Sequence, residues 1–187
     1  MILLATANAG KCRELGRLLG THVDPIEGYV APAETGRSYR ENAWLKIEAA
    51  RALAPAGATL VADDSGLEVT ALCGAPGLGS ARFGGPRLDD AGRVSVLLER
   101  LAGADDRSAR FVCVLVALRP DGEPIEVEGL VDGTIVAEPR GAGGFGYDPV
   151  FLPRGETRTT AELSSEEKDA ISHRGRAARE LRVLLEL

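Results

Sequence analysis

Two adjacent carboxylates, Asp63 and Asp64, follow the apolar run Thr-Leu-Val-Ala, which is typical of a β-strand. Successive strand residues point to opposite faces, so both acids reach one site only if the backbone turns, and Gly66 permits such a turn. Two close carboxylates repel unless a cation lies beside them, and a hydrated divalent metal ion supplies that charge. The alternative is a solvated turn, which this run favours when it is taken alone.

A second candidate site is the run from Thr6 to Lys11, where a short strand passes into a helix. Free backbone N–H groups and the helix dipole favour an anion at such a junction, and Lys11 adds a positive charge. The run is not a Walker A loop, because the spacing G-x-x-x-x-G-K-[ST] is absent. It predicts a phosphate-binding segment, with an ordinary capped helix and a surface lysine as the alternative.

Asn42 and Lys46 lie four residues apart in a helical stretch that opens with a capping-box pair, Ser38 and Glu41. Residues at this spacing share one helix face, so the pair could present an amide and an ammonium group to a ligand. The alternative is a solvated lysine.

Two aromatic residues, Phe145 and Tyr147, lie among glycines and are followed by Asp148. A ring exposed on such a loop can stack on a planar base, and Asp148 can accept a hydrogen bond from it. The alternative is a structural turn whose rings fold into the core.

A polar cluster near the C-terminus interrupts helical sequence and contains Lys168, His173 and Arg174. Together these side chains supply several donors for carbonyl or phosphate oxygens. A lone histidine beside an arginine is, by contrast, usually a surface residue. No set of residues typical of a Ser-His-Asp or Cys-His nucleophile is found, since nothing polar flanks Cys113 to activate its thiol.

The composition limits the possible classes of protein. The chain has 187 residues, 44% hydrophobic and 27% charged, which predicts one domain with ordinary globular composition. Its net charge of −6 argues against a general nucleic-acid binder. The longest apolar stretch, residues 111–118, is too short to span a bilayer. Three cysteines without metal-type spacing, and no visible secretory signal, lead us to expect a cytoplasmic protein.

The hydrophobic patterns alternate between strands and helices and therefore predict an α/β fold, with a mixed sheet flanked by helices. Strands are predicted at residues 2–5, 59–62, 109–118, 125–136 and 150–152, the long pair 109–118 and 125–136 being antiparallel. Helices are predicted from Lys11 to Leu19, from Ser38 through Ala54, and from a cap at Asp89 or Asp90 to about Leu101. A last helical stretch is predicted after a Ser164–Glu167 capping box. In this stretch Ala178, Leu181, Leu184 and Leu185 share a face.

These motifs, read together, resemble the inosine triphosphate pyrophosphatase family. The matching blocks are T-A-N-A-G-K at 6–11, S-Y-R-E-N-A-W-L-K at 38–46, A-D-D-S-G-L-E-V at 62–69, G-A-P-G at 74–77, S-A-R-F at 80–83, G-G-F-G-Y-D-P-V-F at 143–151, A-E-L-S-S-E-E-K at 161–168 and I-S-H-R-G at 171–175. Each block alone is weak evidence for the family, but together the blocks occur in the family's order and span essentially the whole chain.

The resemblance implies a single domain over residues 1–187, with an elongated mixed sheet flanked by helices and two lobes with the active-site cleft between them. It implies Mg²⁺-dependent hydrolysis of ITP, dITP and XTP to the monophosphate and pyrophosphate, usually by a homodimer, with no nucleic-acid or membrane partner expected. The implied catalytic residues are Asp64, Lys11 and Lys46, with Asp64 as proton acceptor for the attacking water; the implied metal-binding acids are Glu34, Asp64 and Asp63. The implied substrate-binding residues are Thr6, Ala7, Asn8, Ala9, Gly10, Lys11, Ser65, Phe145, Gly146, Tyr147, Asp148, Lys168, His173 and Arg174.

One departure from the family pattern is Ala7, because the family's first loop commonly reads T-G-N. If this position needs a positive φ, alanine would be strained and phosphate binding weakened. Two other functions stay open at this point. One is a pyrophosphatase of the structurally similar Maf-type group acting on modified pyrimidine nucleotides, and the other is a nucleotide-binding module without catalysis.

Overall fold

The structure is a computed structural model that describes residues 1–6 and 9–187. Its strands are β1 Ile2–Leu4, β2 Val23–Pro25, β3 Thr59–Val69, β4 Ser108–Leu118, β5 Pro124–Ile135 and β6 Phe151–Pro153. Its α-helices are α1 Ala9–Leu19, α2 Tyr39–Arg51, α3 Asp90–Arg100, α4 Ser165–Ile171 and α5 His173–Leu184. The predicted elements are present, most with end points that differ by a few residues, but β3 ends at Val69 rather than at Ala62, and β2 was not predicted.

The strands form one six-stranded sheet in the order β2-β1-β3-β4-β5-β6. β1 pairs in parallel with both β2 and β3, whereas β5 and β6 are antiparallel. Because β1 is buried along its whole length, its three residues are apolar without alternation, as expected of a central parallel strand. The predicted mixed α/β sheet with flanking helices is confirmed.

The chain divides into two compact units, each with its own hydrophobic core. The first unit comprises Met1–Asp64, Cys113–Gly129 and Arg174–Leu187, and the second comprises Ser65–Val112 and Leu130–His173. Apolar residues of α1 and α5 pack with those of β1, β3 and β4 in the first unit, as Leu15, Leu181 and Val61 illustrate. In the second unit, Leu97 of α3 packs with Phe111 and Phe151.

The backbone turn expected at Asp63 is wrong, because β3 continues without interruption from Thr59 to Val69. Ala62 and Leu67, on either side of the polar run, are fully buried, and both carboxylates are buried too. Burial and hydrogen-bonded partners thus override the local turn preference of Asp, Ser and Gly. The two carboxylates consequently leave the strand in opposite directions.

Capping residues set the helix ends largely as expected. The Ser38 hydroxyl accepts a hydrogen bond from the Glu41 amide, but the Glu41 carboxylate accepts from Arg37 rather than from Ser38, so the reciprocal half of the predicted capping box is wrong. Asp89 caps α3, and the predicted Ser164–Glu167 capping box is confirmed.

The C-terminal helical sequence forms two helices, since Ser172 adopts an extended conformation between α4 and α5. Ala178 and Leu181 are fully buried on the predicted face, whereas Leu184 is exposed, so its predicted place on the buried face is wrong. None of the helices in residues 1–6 and 9–187 combines the length and hydropathy that a membrane span requires.

Candidate active site

One buried ammonium group joins two carboxylates in the first unit. The Lys46 Nζ lies 2.8 Å from Glu34 Oε1 and 2.8 Å from Asp64 Oδ1, and it donates to the Asp63 backbone oxygen at 2.9 Å. The capped helix α2 supplies the lysine, β3 supplies the aspartate, and the segment between β2 and α2 supplies the glutamate. Lys46 is 7% exposed, so the solvated-lysine alternative is wrong.

Asn42 fixes the other oxygen of Asp64. Its Nδ2 donates to Asp64 Oδ2 at 3.1 Å, and its Oδ1 accepts from the Gly36 backbone N–H at 2.9 Å. A Cβ on Gly36 would lie 2.6 Å from Asn42 Oδ1, so only glycine allows this approach. The predicted shared face of Asn42 and Lys46 is confirmed, and both side chains bind the same carboxylate.

Asp63 faces a different set of cations. Lys11 Nζ lies 2.9 Å from both of its carboxylate oxygens, and Arg174 Nη2 donates to Oδ2 at 3.2 Å. Arg174 Nη1 also donates to Glu14 Oε2 at 2.9 Å, so its buried guanidinium lies between two carboxylates. Residues from α1, β3 and α5 thus meet in one ion-pair network. We call Glu34, Lys46, Asp64, Asp63, Lys11, Arg174 and Glu14 the charged cluster.

The two neighbouring aspartates have pKa values shifted in opposite directions. Burial tends to raise the pKa of Asp63, but Lys11, Arg174 and Lys46 outweigh burial and hold it well below its usual range. Burial raises the pKa of Asp64, and the positive charge of Lys46 offsets this only in part. Asp63 is therefore a permanent anion that anchors cations, and Asp64 is the better proton acceptor of the two.

The arrangement of Glu34 and Asp64 also fits a divalent cation. In the part of the chain that the structure describes, no three His, Cys, Asp or Glu side chains converge as a ready-made metal site. The two carboxylates nevertheless converge on one positively charged nitrogen, and oxygen donors of this type suit Mg²⁺, which keeps waters or substrate oxygens as its other ligands. The carboxylate of Asp63 is bound instead by Lys11 and Arg174.

The predicted phosphate-binding segment is described only in part. Ala7 and Asn8 lie outside the described residues, as does the side chain of Ala9, and the effect predicted for Ala7 lies there with them. α1 begins at Ala9, inside this segment, so that Gly10 and Lys11 are helical and Thr6 precedes the residues that are not described. Lys11 belongs to the first turn of α1 and points to Asp63.

In the second unit, a loop at residues 143–148, the aromatic loop, presents one ring and buries the other. Phe145 is 42% exposed, whereas Tyr147 is 5% exposed and its hydroxyl donates to the Ser80 backbone oxygen at 2.8 Å. Burial raises the pKa of Tyr147 to about 12, so this hydroxyl stays protonated. The alternative, a ring folded into the core, is confirmed for Tyr147, whereas stacking of Phe145 on a base stays a prediction.

Asp148 closes the aromatic loop. Its Oδ2 accepts from the Phe145 backbone N–H at 2.8 Å and from Lys168 Nζ at 2.5 Å. Gly144 has a φ of +72°, and a Cβ there would lie 2.0 Å from Asp148 Oδ2. The Lys168 ammonium lies 4.9 Å from the centre of the Phe145 ring. Lys168 thus lies over the Phe145 ring, and Asp148 holds both this lysine and the backbone of the loop.

Two further predicted residues belong to the second unit. His173 is buried and stacks on Phe111 with 4.7 Å between ring centres and 11° between planes, so it is not a surface residue. Ser65 is half-buried on β3.

Several residues that shape these sites were not identified from the sequence. Asp90, in the first turn of α3, accepts a hydrogen bond from the Gly146 backbone N–H at 2.7 Å. Glu14 holds Arg174, and Gly36 holds Asn42. Two of these residues lie near predicted site residues in the sequence: Glu14 follows Lys11 by three positions on one helix, and Gly36 precedes Asn42 by six. The contact of Asp90 with Gly146 spans 56 residues and depends on tertiary structure.

Cys113 does not act as a nucleophile. Cys12, Cys73 and Cys113 are free, and Cys113 is fully buried in the first unit. Burial raises the pKa of Cys113 to about 12, so its thiol stays protonated and unreactive.

Comparisons with known proteins place this chain in a family. The model of the Ham1 family matches residues 2–184. A dITP/XTP pyrophosphatase of Exiguobacterium sp. is 47% identical, covering 96% of this chain and 94% of that protein. One from Streptomyces avermitilis is 49% identical over 96% of this chain and 94% of its own length.

The solved structures agree with this assignment. A HAM1 protein from Coxiella burnetii is 41% identical with a TM-score of 0.86, covering 99% of this chain and 98% of that one. A nucleoside-triphosphatase / dITP/XTP pyrophosphatase from Mycobacterium abscessus is 44% identical with a TM-score of 0.75, covering 96% and 97%. The resemblance carried by the ordered motifs is confirmed, and the chain belongs to the Ham1 family.

Proposed function

We propose that this protein hydrolyses deaminated purine nucleoside triphosphates, namely ITP, dITP and XTP, at the α–β phosphoanhydride. The products are the nucleoside monophosphate and pyrophosphate, and the role is removal of deaminated purines from the nucleotide pool. The observation that carries the proposal is the pair of carboxylates, Glu34 and Asp64, converging on the buried Lys46 ammonium. The names of the curated relatives support the same activity.

The charged cluster suits cleavage of a phosphoanhydride because it places cations beside a proton acceptor. Mg²⁺ bound by Glu34 and Asp64 would neutralise charge on the triphosphate. Lys11 and Lys46 share that task, since preformed cations stabilise the charge that develops during phosphoryl transfer. Asp64 accepts the proton of the attacking water, and its raised pKa brings it closer to the range in which a general base is efficient.

The aromatic loop suits recognition of the purine. The exposed Phe145 ring offers a stacking surface for the base, and the Lys168 ammonium lies over that ring. Donors such as Lys168 and His173 favour the 6-oxo group of hypoxanthine or xanthine, because the 6-amino group of adenine offers them no acceptor. Arg174, which is held by Glu14 and Asp63, is proposed to contact the nucleotide from the charged cluster. Ser65, Tyr147 and Asp148 complete the proposed nucleotide contacts.

The decisive experiment measures pyrophosphate, monophosphate and orthophosphate from ITP, dITP, XTP, GTP, ATP, TTP and UTP, with and without Mg²⁺. We expect pyrophosphate and monophosphate in equal amounts from the deaminated purines, a much slower reaction with ATP, and none without a divalent cation. Orthophosphate as the product would contradict the proposal. Preference for pyrimidine or methylated nucleotides would indicate a Maf-type activity, and binding without turnover would indicate a binding module.

We also propose that residues 1–187 act as one ITPase-like domain, that the protein is a cytoplasmic homodimer, and that it has no nucleic-acid or membrane partner. The net charge of −6 supports the absence of a nucleic-acid partner. Sedimentation equilibrium should give twice the 19.6 kDa mass of the chain, and a monomer would contradict this assembly.

A further inference from the structure

An arginine of α3 reaches the backbone of the aromatic loop through one carboxylate. Arg93 Nη1 donates to Asp90 Oδ1 at 3.1 Å. The other oxygen of that carboxylate, Asp90 Oδ2, accepts from the Gly146 backbone N–H at 2.7 Å. Arg93 and Asp90 lie three positions apart on α3, so they share one helix face. Two hydrogen bonds in series therefore connect Arg93 to the loop.

The two side chains of this ion pair differ in exposure. The Asp90 side chain is 53% exposed, whereas the Arg93 side chain is 15% exposed. A half-exposed aspartate changes rotamer and bonds to water, so a second contact is needed to keep one of its oxygens on a backbone N–H. Arg93 precedes Val94, which packs with Leu97 in the hydrophobic core of the second unit, so α3 gives the guanidinium a fixed base.

The aromatic loop depends on such contacts because its glycines permit its conformation without enforcing it. Gly144 and Gly146 have φ values of +72° and +61°, a region that glycine enters without strain. Glycine also loses more conformational freedom on folding than any other residue. Asp148 holds the Phe145 N–H, and Asp90 holds the next N–H along the chain. These adjacent hydrogen bonds orient the backbone that carries the exposed Phe145 ring.

We propose that Arg93 is a positioning residue for nucleotide binding: it holds the Asp90 carboxylate, which holds the Gly146 N–H and so the neighbouring Phe145 ring. This inference rests on the proposed function and adds to it a residue that acts behind the recognition loop. Arg93 acts through Asp90 rather than on the reacting phosphate groups. Its loss should therefore raise the KM for ITP and leave kcat unchanged.

The test is Arg93→Met, which removes the guanidinium and keeps a long side chain. We expect KM for ITP to rise about fivefold, the size of one lost hydrogen bond, with kcat unchanged. Arg93→Lys keeps a positive charge and a donor and should recover part of the loss. Arg100→Met is the matched control, because Arg100 lies in the last turn of the same helix with its guanidinium 4.7 Å from the centre of the Phe83 ring. This control should match the wild type.

A double-substitution cycle separates positioning from a general effect of charge. Arg93→Met should raise KM in the wild type but not in Asp90→Ala, because the two residues act through one contact. A loss of positive charge that acted directly on the nucleotide would instead raise KM by the same factor in both backgrounds.

Hydrogen exchange of the Gly146 amide gives a readout that needs no nucleotide. Measured by NMR in the free protein, this exchange should be about fivefold faster in Arg93→Met than in the wild type. It should be unchanged in Arg100→Met.

The inference is overturned if Arg93→Met keeps the wild-type KM, if KM changes equally with and without Asp90, or if kcat falls instead. Unchanged exchange of the Gly146 amide in Arg93→Met would also overturn it. Failure of the wild type to release pyrophosphate from any nucleotide would instead refute the proposed function, and exchange of the Gly146 amide would still decide whether Arg93 holds the loop.

Discussion

The charged cluster of the first unit and the aromatic loop of the second hold their functional side chains in different ways. In the charged cluster, side chains fix one another through buried ion pairs, such as Lys46 with Asp64 and Arg174 with Asp63. In the aromatic loop, carboxylates fix the backbone: Asp148 accepts from the Phe145 N–H and Asp90 from the Gly146 N–H.

This difference predicts different effects of substitution in the two regions. In the charged cluster, each substitution should alter the pKa values of neighbouring groups and the stability of the fold, because buried ions depend on their partners. In the aromatic loop, the carboxylates hold the backbone, so the exposed Phe145 ring can be replaced with little disturbance to the fold. We therefore expect substitutions in the charged cluster to change kcat and stability, and substitutions in the aromatic loop to change KM.

The largest effect is expected for Lys46→Met, because it leaves Glu34 and Asp64 facing each other without the ammonium between them. We expect kcat for ITP to fall by about 10³-fold, the size found when one preformed electrostatic donor is lost. The thermal midpoint should fall as well, and added Mg²⁺ should raise it more than in the wild type, since a cation would again separate the carboxylates.

Lys46→Arg is the matched control, since it keeps the charge but changes the geometry, and it should retain most of the stability while losing activity. Equal kcat in Lys46→Met and the wild type would show that the charged cluster does not take part in the chemical step.

A large loss of stability is expected for Asp63→Asn. Lys11 and the buried Arg174 lose their shared anion, and removing one partner of a buried pair costs about 3 kcal/mol or more of unfolding free energy. Glu14 still holds Arg174, which places the loss near the lower end. Urea unfolding at pH 7 measures it.

The pH dependence of urea unfolding gives a second test of the role of Asp63. The folded-state pKa of Asp63 is lowered from 3.8, so its stabilisation is present above pH 3.8 and is lost as the pH falls towards the folded-state value. Asp63→Asn should lack that part of the acid sensitivity. Identical acid unfolding curves for the two proteins would contradict the assignment of Asp63 as the anchoring anion.

A change in recognition without a change in stability is expected for Phe145→Ala. Loss of stacking on the base costs about 1–3 kcal/mol, so KM for ITP should rise roughly tenfold or more while the urea midpoint stays constant. Phe145→Trp should restore binding because it restores a stacking surface. A fall in kcat with an unchanged KM would assign Phe145 to the chemical step rather than to recognition of the base.

The smallest effect is expected for Asp90→Ala, which removes the acceptor for the Gly146 N–H. One hydrogen bond is worth about 1 kcal/mol, so KM for ITP should rise roughly fivefold with kcat unchanged. Asp90→Asn keeps an oxygen acceptor and should lie close to the wild type. If both variants bind ITP equally well, α3 does not position the aromatic loop.

The sequence was informative where the cause of a feature is local. The caps at Ser164 and Asp89, and the common helix face of Asn42 and Lys46, follow from residues three or four positions apart. The ordered motifs carried the family assignment. The turn predicted at Asp63 was wrong because its partners, Lys11 and Arg174, are 52 and 111 residues away along the chain.

The missed contacts have the same origin. Asp90 and Gly146 are 56 residues apart, and Glu14 and Arg174 are 160 apart, so no local spacing links them. The two rings of the aromatic loop are two residues apart and share the same glycine-rich context, yet one is buried because Ser80 offers its backbone oxygen to Tyr147. Tertiary packing decides each of these cases.

The rate of ITP hydrolysis by Asp64→Asn, measured together with its ITP affinity, tests most directly whether Asp64 is the general base of a pyrophosphatase. We predict that the wild type releases pyrophosphate and monophosphate in equal amounts, and that Asp64→Asn still binds ITP but turns it over about 10³-fold more slowly, the loss typical of a removed general base. Turnover by Asp64→Asn at the wild-type rate, or release of orthophosphate by the wild type, would contradict this assignment.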